Sequence, residues 1–154
     1  MREPNSVLIY LLNGNSNASL NVMLLKRVAA YGMSDFWQGV TGGLESGESF
    51  EMTAFRELYE ETGIELEWIH DVDFSYSFPI QDVWKHRYPA GSKYITEKVF
   101  AGIVDLNVNV RLSREHSEWA FFSCEKAFGY LEFDQSRQAL KRCIDYYKHT
   151  GSLE

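Results

Sequence analysis

The sequence predicts an α+β fold on three observations: two aliphatic runs around a turn-dense stretch, one helical segment with both ends signalled, and later strand-like runs closed by an amphipathic helix. Residues 7–12 and 20–25 are rich in β-branched and aliphatic side chains. Residues 13–19 between them are dense in turn formers, so the two runs read as a β-hairpin. Residues 49–62 contain neither Gly nor Pro, open with Ser49 as an N-cap and stop before Gly63, a natural left-handed C-terminal position. They predict a helix. Further strands are expected over residues 64–69, 71–78, 94–105 and 118–123, with a Pro- and Gly-bearing loop over 79–91. Asp134 caps a last helix on which Ala139, Leu140, Cys143, Ile144 and Tyr147 recur at helical spacing, leaving Lys141, Arg142 and Lys148 to solvent.

With 154 residues, 45% hydrophobic and 15% aromatic, the chain is expected to form a single domain over residues 1–154. A net charge of -7 with Lys and Arg scattered disfavours a broad nucleic-acid surface, because phosphate backbones are gripped by clustered cations. A small phosphorylated substrate would therefore need a metal cation as intermediary. The two cysteines, Cys124 and Cys143, lack zinc-site spacing and read as buried free thiols. Residues 1–6 carry no signal-peptide pattern, and the apolar run 7–12 is too short to span a bilayer. The expectation is a cytoplasmic protein with no membrane partner, either monomer or homodimer.

The segment from Gly42 to Ile64 carries the chemistry. On a helix Glu57, Glu60 and Glu61 are related by i, i+3 and i+4, so three carboxylates share one face and repel. Phe50, Ala54 and Leu58 form an apolar stripe bordering that face and bring it to a cleft edge. A hard divalent cation relieves such crowding, and Mg²⁺ prefers oxygen ligands shared with substrate phosphates. Arg56 has the i, i+4 spacing to pair with Glu60 and orient it. Gly42, Gly43 and Gly47 are expected to let the preceding loop bring its backbone near metal and phosphates, and Glu48 adds a carboxylate at the helix start. A solvated acidic face braced by basic partners is the competing reading of any Glu-rich helix. Here nine positions over 23 residues agree with the pattern G-x5-E-x7-R-E-U-x-E-E-x-G-U, where U is bulky and aliphatic.

That pattern is the Nudix box, and from about Val7 to Tyr147 the chain resembles the Nudix hydrolases. The resemblance implies an α/β/α sandwich with a mixed sheet, and Mg²⁺-dependent attack of water on a diphosphate linkage, with Mn²⁺ able to substitute. It implies Glu57 and Glu61 as metal ligands and Gly42 as a backbone ligand. Glu60 is either a third ligand or the base that deprotonates water, and Glu115 is the acidic residue supplied from outside the box.

Asp35–Thr41, His86-Arg87-Tyr88, Thr96-Glu97, Glu115-His116 and Ser136-Arg137-Gln138 resemble the dihydroneopterin triphosphate pyrophosphatase branch. By that likeness Arg27 and Thr41 hold substrate, and residues 78–81, including Phe78 and Gln81, lie by the pterin. The lysine often used near the N-terminus in that branch has no clear counterpart, Arg2 being nearby, and the loop 28–34 is longer. Phe36, Trp37 and Tyr88 offer aromatic faces to a planar ring, with core packing as the competing reading for the first two. His86 and Arg87 are candidate phosphate contacts, with plain solvent exposure as the alternative. Where dinucleoside polyphosphate hydrolases place a Tyr beyond the box, Ile80, Gln81 and Asp82 stand here, while Pro79 matches a feature of ADP-ribose pyrophosphatases. Nucleoside triphosphate pyrophosphatase and ADP-ribose pyrophosphatase are the alternative activities, and a non-catalytic nucleotide-binding module is the alternative class.

Overall fold

Strand β1 (Asn5–Gly14) is buried on both faces along most of its length, and this organises everything around it. The computed structural model describes residues 2–14, 20–28 and 34–150; residues 15–19 of the hairpin turn and 29–33 of the longer loop lie outside the described residues. Along β1 the side chains alternate between two cores, Val7, Ile9 and Leu11 on one side and Leu8, Tyr10 and Leu12 on the other. A strand covered on both faces reads as a continuous apolar run, which is why residues 7–12 show no polar alternation.

The remaining elements follow in order: β2 (Leu20–Arg27), β3 (Phe36–Gln38), β4 (Val40–Gly43), α1 (Phe50–Thr62), β5 (His70–Pro79), a 3₁₀ helix (Asp82–Arg87), β6 (Tyr94–Ile103), β7 (His116–Ser123), α2 (Cys124–Tyr130) and α3 (Asp134–Thr150). They build a mixed seven-stranded sheet. The β1–β2 pairing is antiparallel and β1–β6 parallel, while β4 pairs with β1 and β7 with β2. Helix α1 packs Ala54 and Leu58 into one core; α2 and α3 pack Ala127, Leu140 and Cys143 into the other. This is the α/β/α layering expected. Each fully buried leucine, such as Leu58 or Leu140, contributes roughly 2 kcal/mol through removal from water.

Both ends of α1 behave as their residues dictate. The Ser49 hydroxyl accepts from the Met52 amide at 3.1 Å, and Gly63 ends the helix at φ 73, where a Cβ would be strained.

Several elements differ from the sequence reading. Residues 64–69 form no strand: Ile64 and Ile69 are buried and Leu66 packs beside them, so the alternation marks an extended connector over the α1-side core, without ladder pairing. Strands β3 and β4 were not expected, because three and four residues are too few to show a period, and Gly42-Gly43 reads as loop. Only Gly47 of the three pre-helix glycines has positive φ, at 87. Gly42 and Gly43 lie in β4 with no need of left-handed angles. The loop 79–91 contains the 3₁₀ helix, and α2 is a further short helix capped by the Ser123 hydroxyl. Both cysteines are buried free thiols. Among the described residues no helix is long and apolar enough to cross a membrane.

Candidate active site

Helix α1 presents Glu57 and Glu61 inward, 7% and 5% exposed, and Glu60 outward. The difference follows from the helix period: Glu57 and Glu61 stand one turn apart above β4, and Glu60 is rotated toward solvent. Glu57 lies against Gly42. A Cβ added there would stand 2.0 Å from the Glu57 Cδ, so any side chain at 42 would push the Glu57 carboxylate out of this position.

Arg56 is the hub of the acidic face. Its Nε donates to Glu48 Oε2 at 2.7 Å, Nη1 to Glu57 Oε1 at 2.8 Å and to Glu60 Oε2 at 3.0 Å, and Nη2 to Glu48 Oε1 at 2.8 Å and to the Gly43 carbonyl at 3.0 Å. With Nη1 to Glu60 Oε1 at 3.3 Å these make six hydrogen bonds, of which the expected Arg56–Glu60 pair supplies two. Glu48, read from sequence as a spare carboxylate, is fully engaged, also accepting from Thr53 Oγ1 and the Glu45 amide.

These contacts explain the protonation behaviour. Hydrogen bonding from Arg56 holds the Glu48 carboxyl down, from the ordinary 4.5 to about 2. A folded-state value below the unfolded one stabilises the protein above pH 4.5, and that contribution is lost as pH falls toward 2. Acid titration of Glu48→Gln followed by circular dichroism is expected to show a shallower loss of stability across that window; an unchanged acid limb would contradict the assignment. Burial pushes Glu57 the other way, up to about 7, with Arg56 opposing. For Glu61 burial also raises the carboxyl, but the neighbouring His116, Glu115 and Ser113 side chains outweigh it and hold it low. Glu115 is raised, first by its hydrogen bond to Glu61. Ser113 Oγ donates to Glu61 Oε2 at 2.7 Å, and His116 Nδ1 lies 3.0 Å from the same oxygen at ion-pair distance, though out of hydrogen-bond alignment.

A cleft of about 920 Å³ runs along this face. It is lined by Glu57, Glu60, Glu61, Glu115 and Gly42, and also by Arg27, Thr41, Phe78, Gln81 and Arg87. Arg27 Nη1 stands 3.8 Å from Glu115 Oε2 at the end of β2, and Thr41 accepts from Gln38 Nε2 at 3.1 Å. Arg87 lies over the Trp84 ring at 5.7 Å. Two of the expected substrate contacts, Trp37 and His86, do not line the cleft. Trp37 packs edge-on against Phe122 and Tyr130 on the α2 side, and His86 points to solvent from the 3₁₀ helix. Phe36, Tyr88 and Arg2 do line it.

Sequence reasoning did not single out Ser6, Tyr76 and Glu97 as a group. Glu97 is 8% exposed, accepts from Ser6 Oγ at 2.8 Å and from the Tyr76 hydroxyl, and lines the same cleft. Burial raises its carboxyl, with the two hydroxyls opposing. Thr96-Glu97 was visible as a motif, but cross-strand neighbours sit 91 and 21 positions away in the chain.

The donor set fits a hard divalent cation. Glu57 is a buried carboxylate whose ionised form a cation would favour, Gly42 leaves the space that Glu57 occupies, and every acidic group at the wall offers oxygen. Among the described residues no group of three or more His, Cys, Asp or Glu side chains converges as a ready-made cage. Arg56 accounts for this by drawing Glu57 and Glu60 to itself; Mg²⁺ is commonly held by one or two carboxylates together with substrate phosphates.

An acidic helix faces a sheet-floored cleft here, and the chain belongs to the Nudix hydrolase family: the NUDIX domain model matches residues 2–144. The chain is 29% identical over 143 residues to the dihydroneopterin triphosphate diphosphatase of Haemophilus influenzae, covering 90% of this chain and 86% of that one. Its fold superposes on the E. coli dihydroneopterin triphosphate pyrophosphohydrolase with TM-score 0.76 at 26% identity, over 94% of this chain and 97% of that one. It is also 33% identical over 121 residues to a Myxococcus xanthus octanoyltransferase, but there 79% of this chain spans only 31% of the longer protein. RNA pyrophosphohydrolases are among its other relatives.

Proposed function

We propose that this chain hydrolyses a diphosphate linkage in a nucleotide-like triphosphate, foremost dihydroneopterin triphosphate to the monophosphate and pyrophosphate, as one catalytic domain in the cytoplasm. The observation that carries this reading is the single cleft joining the inward carboxylates of α1 to a pocket lined by Phe78, Gln81 and Tyr88. Glu57, Glu61, Glu60 and Glu115, with the Gly42 backbone, would hold Mg²⁺ or Mn²⁺. When bound, the cation supplies charge neutralisation at the phosphates and lowers the pKa of water.

The chain's own residues do the rest. Arg56 orients Glu57 and Glu60 and keeps their like charges apart. Glu60, half exposed and paired with Arg56, serves as base or as a further ligand. Arg27, Thr41 and Arg87 grip the phosphates and the linker, and Phe78 and Gln81 flank the ring. The relatives that act on RNA keep RNA 5′-pyrophosphate removal as the second reading. A net charge of -7 weighs against it, since long phosphate backbones need many cationic contacts.

A panel with Mg²⁺ and product identification tests this: dihydroneopterin triphosphate, each nucleoside triphosphate, ADP-ribose, dinucleoside polyphosphates and 5′-triphosphate RNA. Dihydroneopterin triphosphate is expected to give the highest kcat/KM with inorganic pyrophosphate released. Failure to turn over any triphosphate would overturn the reading, and preference for RNA would replace it with the second.

A further inference from the structure

Glu97 stands in a row that crosses four strands. Tyr76 on β5 is its register partner, Ser6 on β1 is its partner on the other side, and Gly43 on β4 is the partner of Ser6. The residue after Ser6 pairs with Gly42, whose missing side chain makes room for Glu57. Consecutive strand positions face opposite sides, so Glu97 and the metal-side Glu57 lie on opposite faces of the sheet, and the one cleft that both line joins them. Phe78 and Ile95, paired with each other two residues further along β5 and β6, share the face of Tyr76 and Glu97 and line the same cleft.

A carboxyl in this place is expensive, because burial without full pairing costs more than an apolar side chain of the same volume. Ser6 and Tyr76 each satisfy one oxygen. An ionised carboxylate has about four acceptor positions, so one on each oxygen is unspent, and a donor pair arriving there favours the ionised form that burial disfavours. Two parallel N–H donors from a planar ring would fill both, in the same two-point geometry by which a guanidinium binds a carboxylate. The edge of a heterocycle that carries a ring N–H beside an exocyclic amino group is such a donor pair. It occurs in 2-amino-4-oxo rings, guanine and pterin, and not in adenine or hypoxanthine.

We propose that Glu97 is the specificity-determining residue of the cleft, reading the N–H and amino edge of a 2-amino-4-oxo ring while Phe78 covers the ring face. This rests on the nucleotide-like triphosphate reading above and narrows its substrate class. The cleft that Glu97 and Glu57 both line leaves the sugar or short polyol of such a substrate between the ring at Glu97 and the phosphates at Glu57.

The test is headgroup binding to the whole, metal-free protein in EDTA, by calorimetry, with guanosine monophosphate, inosine monophosphate and neopterin. Guanosine and inosine monophosphates differ only in the exocyclic amino group. Wild type is expected to bind guanosine monophosphate and neopterin, and inosine monophosphate about tenfold more weakly, the loss expected for one hydrogen bond to a charged group. Glu97→Gln turns an amide N–H toward the ligand's own donors, and is expected to weaken guanosine monophosphate tenfold to a hundredfold, with inosine monophosphate changed much less. Equal binding of the two nucleotides by wild type overturns the proposal, and that comparison needs no variant to fold. A Glu97→Gln protein that binds guanosine monophosphate like wild type, or loses every ligand alike, also overturns it, the latter by reducing Glu97 to a tie between strands. If ring selection holds but no triphosphate is hydrolysed, the reaction assigned above fails and the role of Glu97 stands.

Discussion

Glu57→Gln and Glu61→Gln are each expected to lower turnover of the preferred triphosphate by at least a hundredfold with Mg²⁺ present. Each change removes a negative oxygen from the inward wall of the cleft, and losing several kcal/mol of charge stabilisation in the transition state corresponds to factors of that size. The two variants are expected to part company in stability. Burial raises the Glu57 carboxyl to about 7, so without a cation its charge is unfavourable near neutral pH, and a neutral amide leaves metal-free stability equal or higher. Glu61 accepts from Ser113 and lies 3.0 Å from His116 Nδ1, so Glu61→Gln weakens the charged acceptor both groups face and melts earlier. Metal-free thermal melts beside steady-state kinetics read both. Turnover retained by either variant would remove the metal-site assignment.

Replacement of Arg56 by Met is expected to be the most destabilising change at this site, by about 2 kcal/mol in chemical denaturation. Methionine keeps much of the stem's packing but strands Glu48 and Glu57, whose side chains are 14% and 9% exposed, without their cationic partner. Removing one member of a partly buried charge network costs more than the network contributes net, because the remaining charges stay desolvated. The Gly43 carbonyl also loses its guanidinium donor, which loosens β4 where it passes beneath Glu57. Turnover is expected to fall with stability, since Glu57 and Glu60 are no longer held. A denaturation midpoint within the error of wild type would mean that solvent already screens these contacts and that Arg56 orients nothing.

Helix α1 was legible in the chain because its determinants are local. Ser49 reaches three residues to cap it, Gly63 stops it, and the spacing of Glu57, Glu60 and Glu61 is set by helix geometry alone. Strands β1, β2, β5, β6 and β7 were legible for a related reason: each has at least eight residues, enough for an apolar run to stand out. Residues 64–69 carried the same signal and form no strand, since alternation records which side chains are covered and not which backbone is paired.

By itself the sequence determined that a helix would carry a carboxylate cluster behind a glycine-bearing segment, because capping and periodicity act over one or two turns. Only the tertiary structure decided which of those carboxylates are buried, that a side chain at 42 would displace Glu57, that Arg56 binds Glu48 more closely than Glu60, that Trp37 turns from the cleft, and that Ser6, Tyr76 and Glu97 share a row. Each of these depends on sheet register, which joins residues tens of positions apart and is set by the packing of both faces at once.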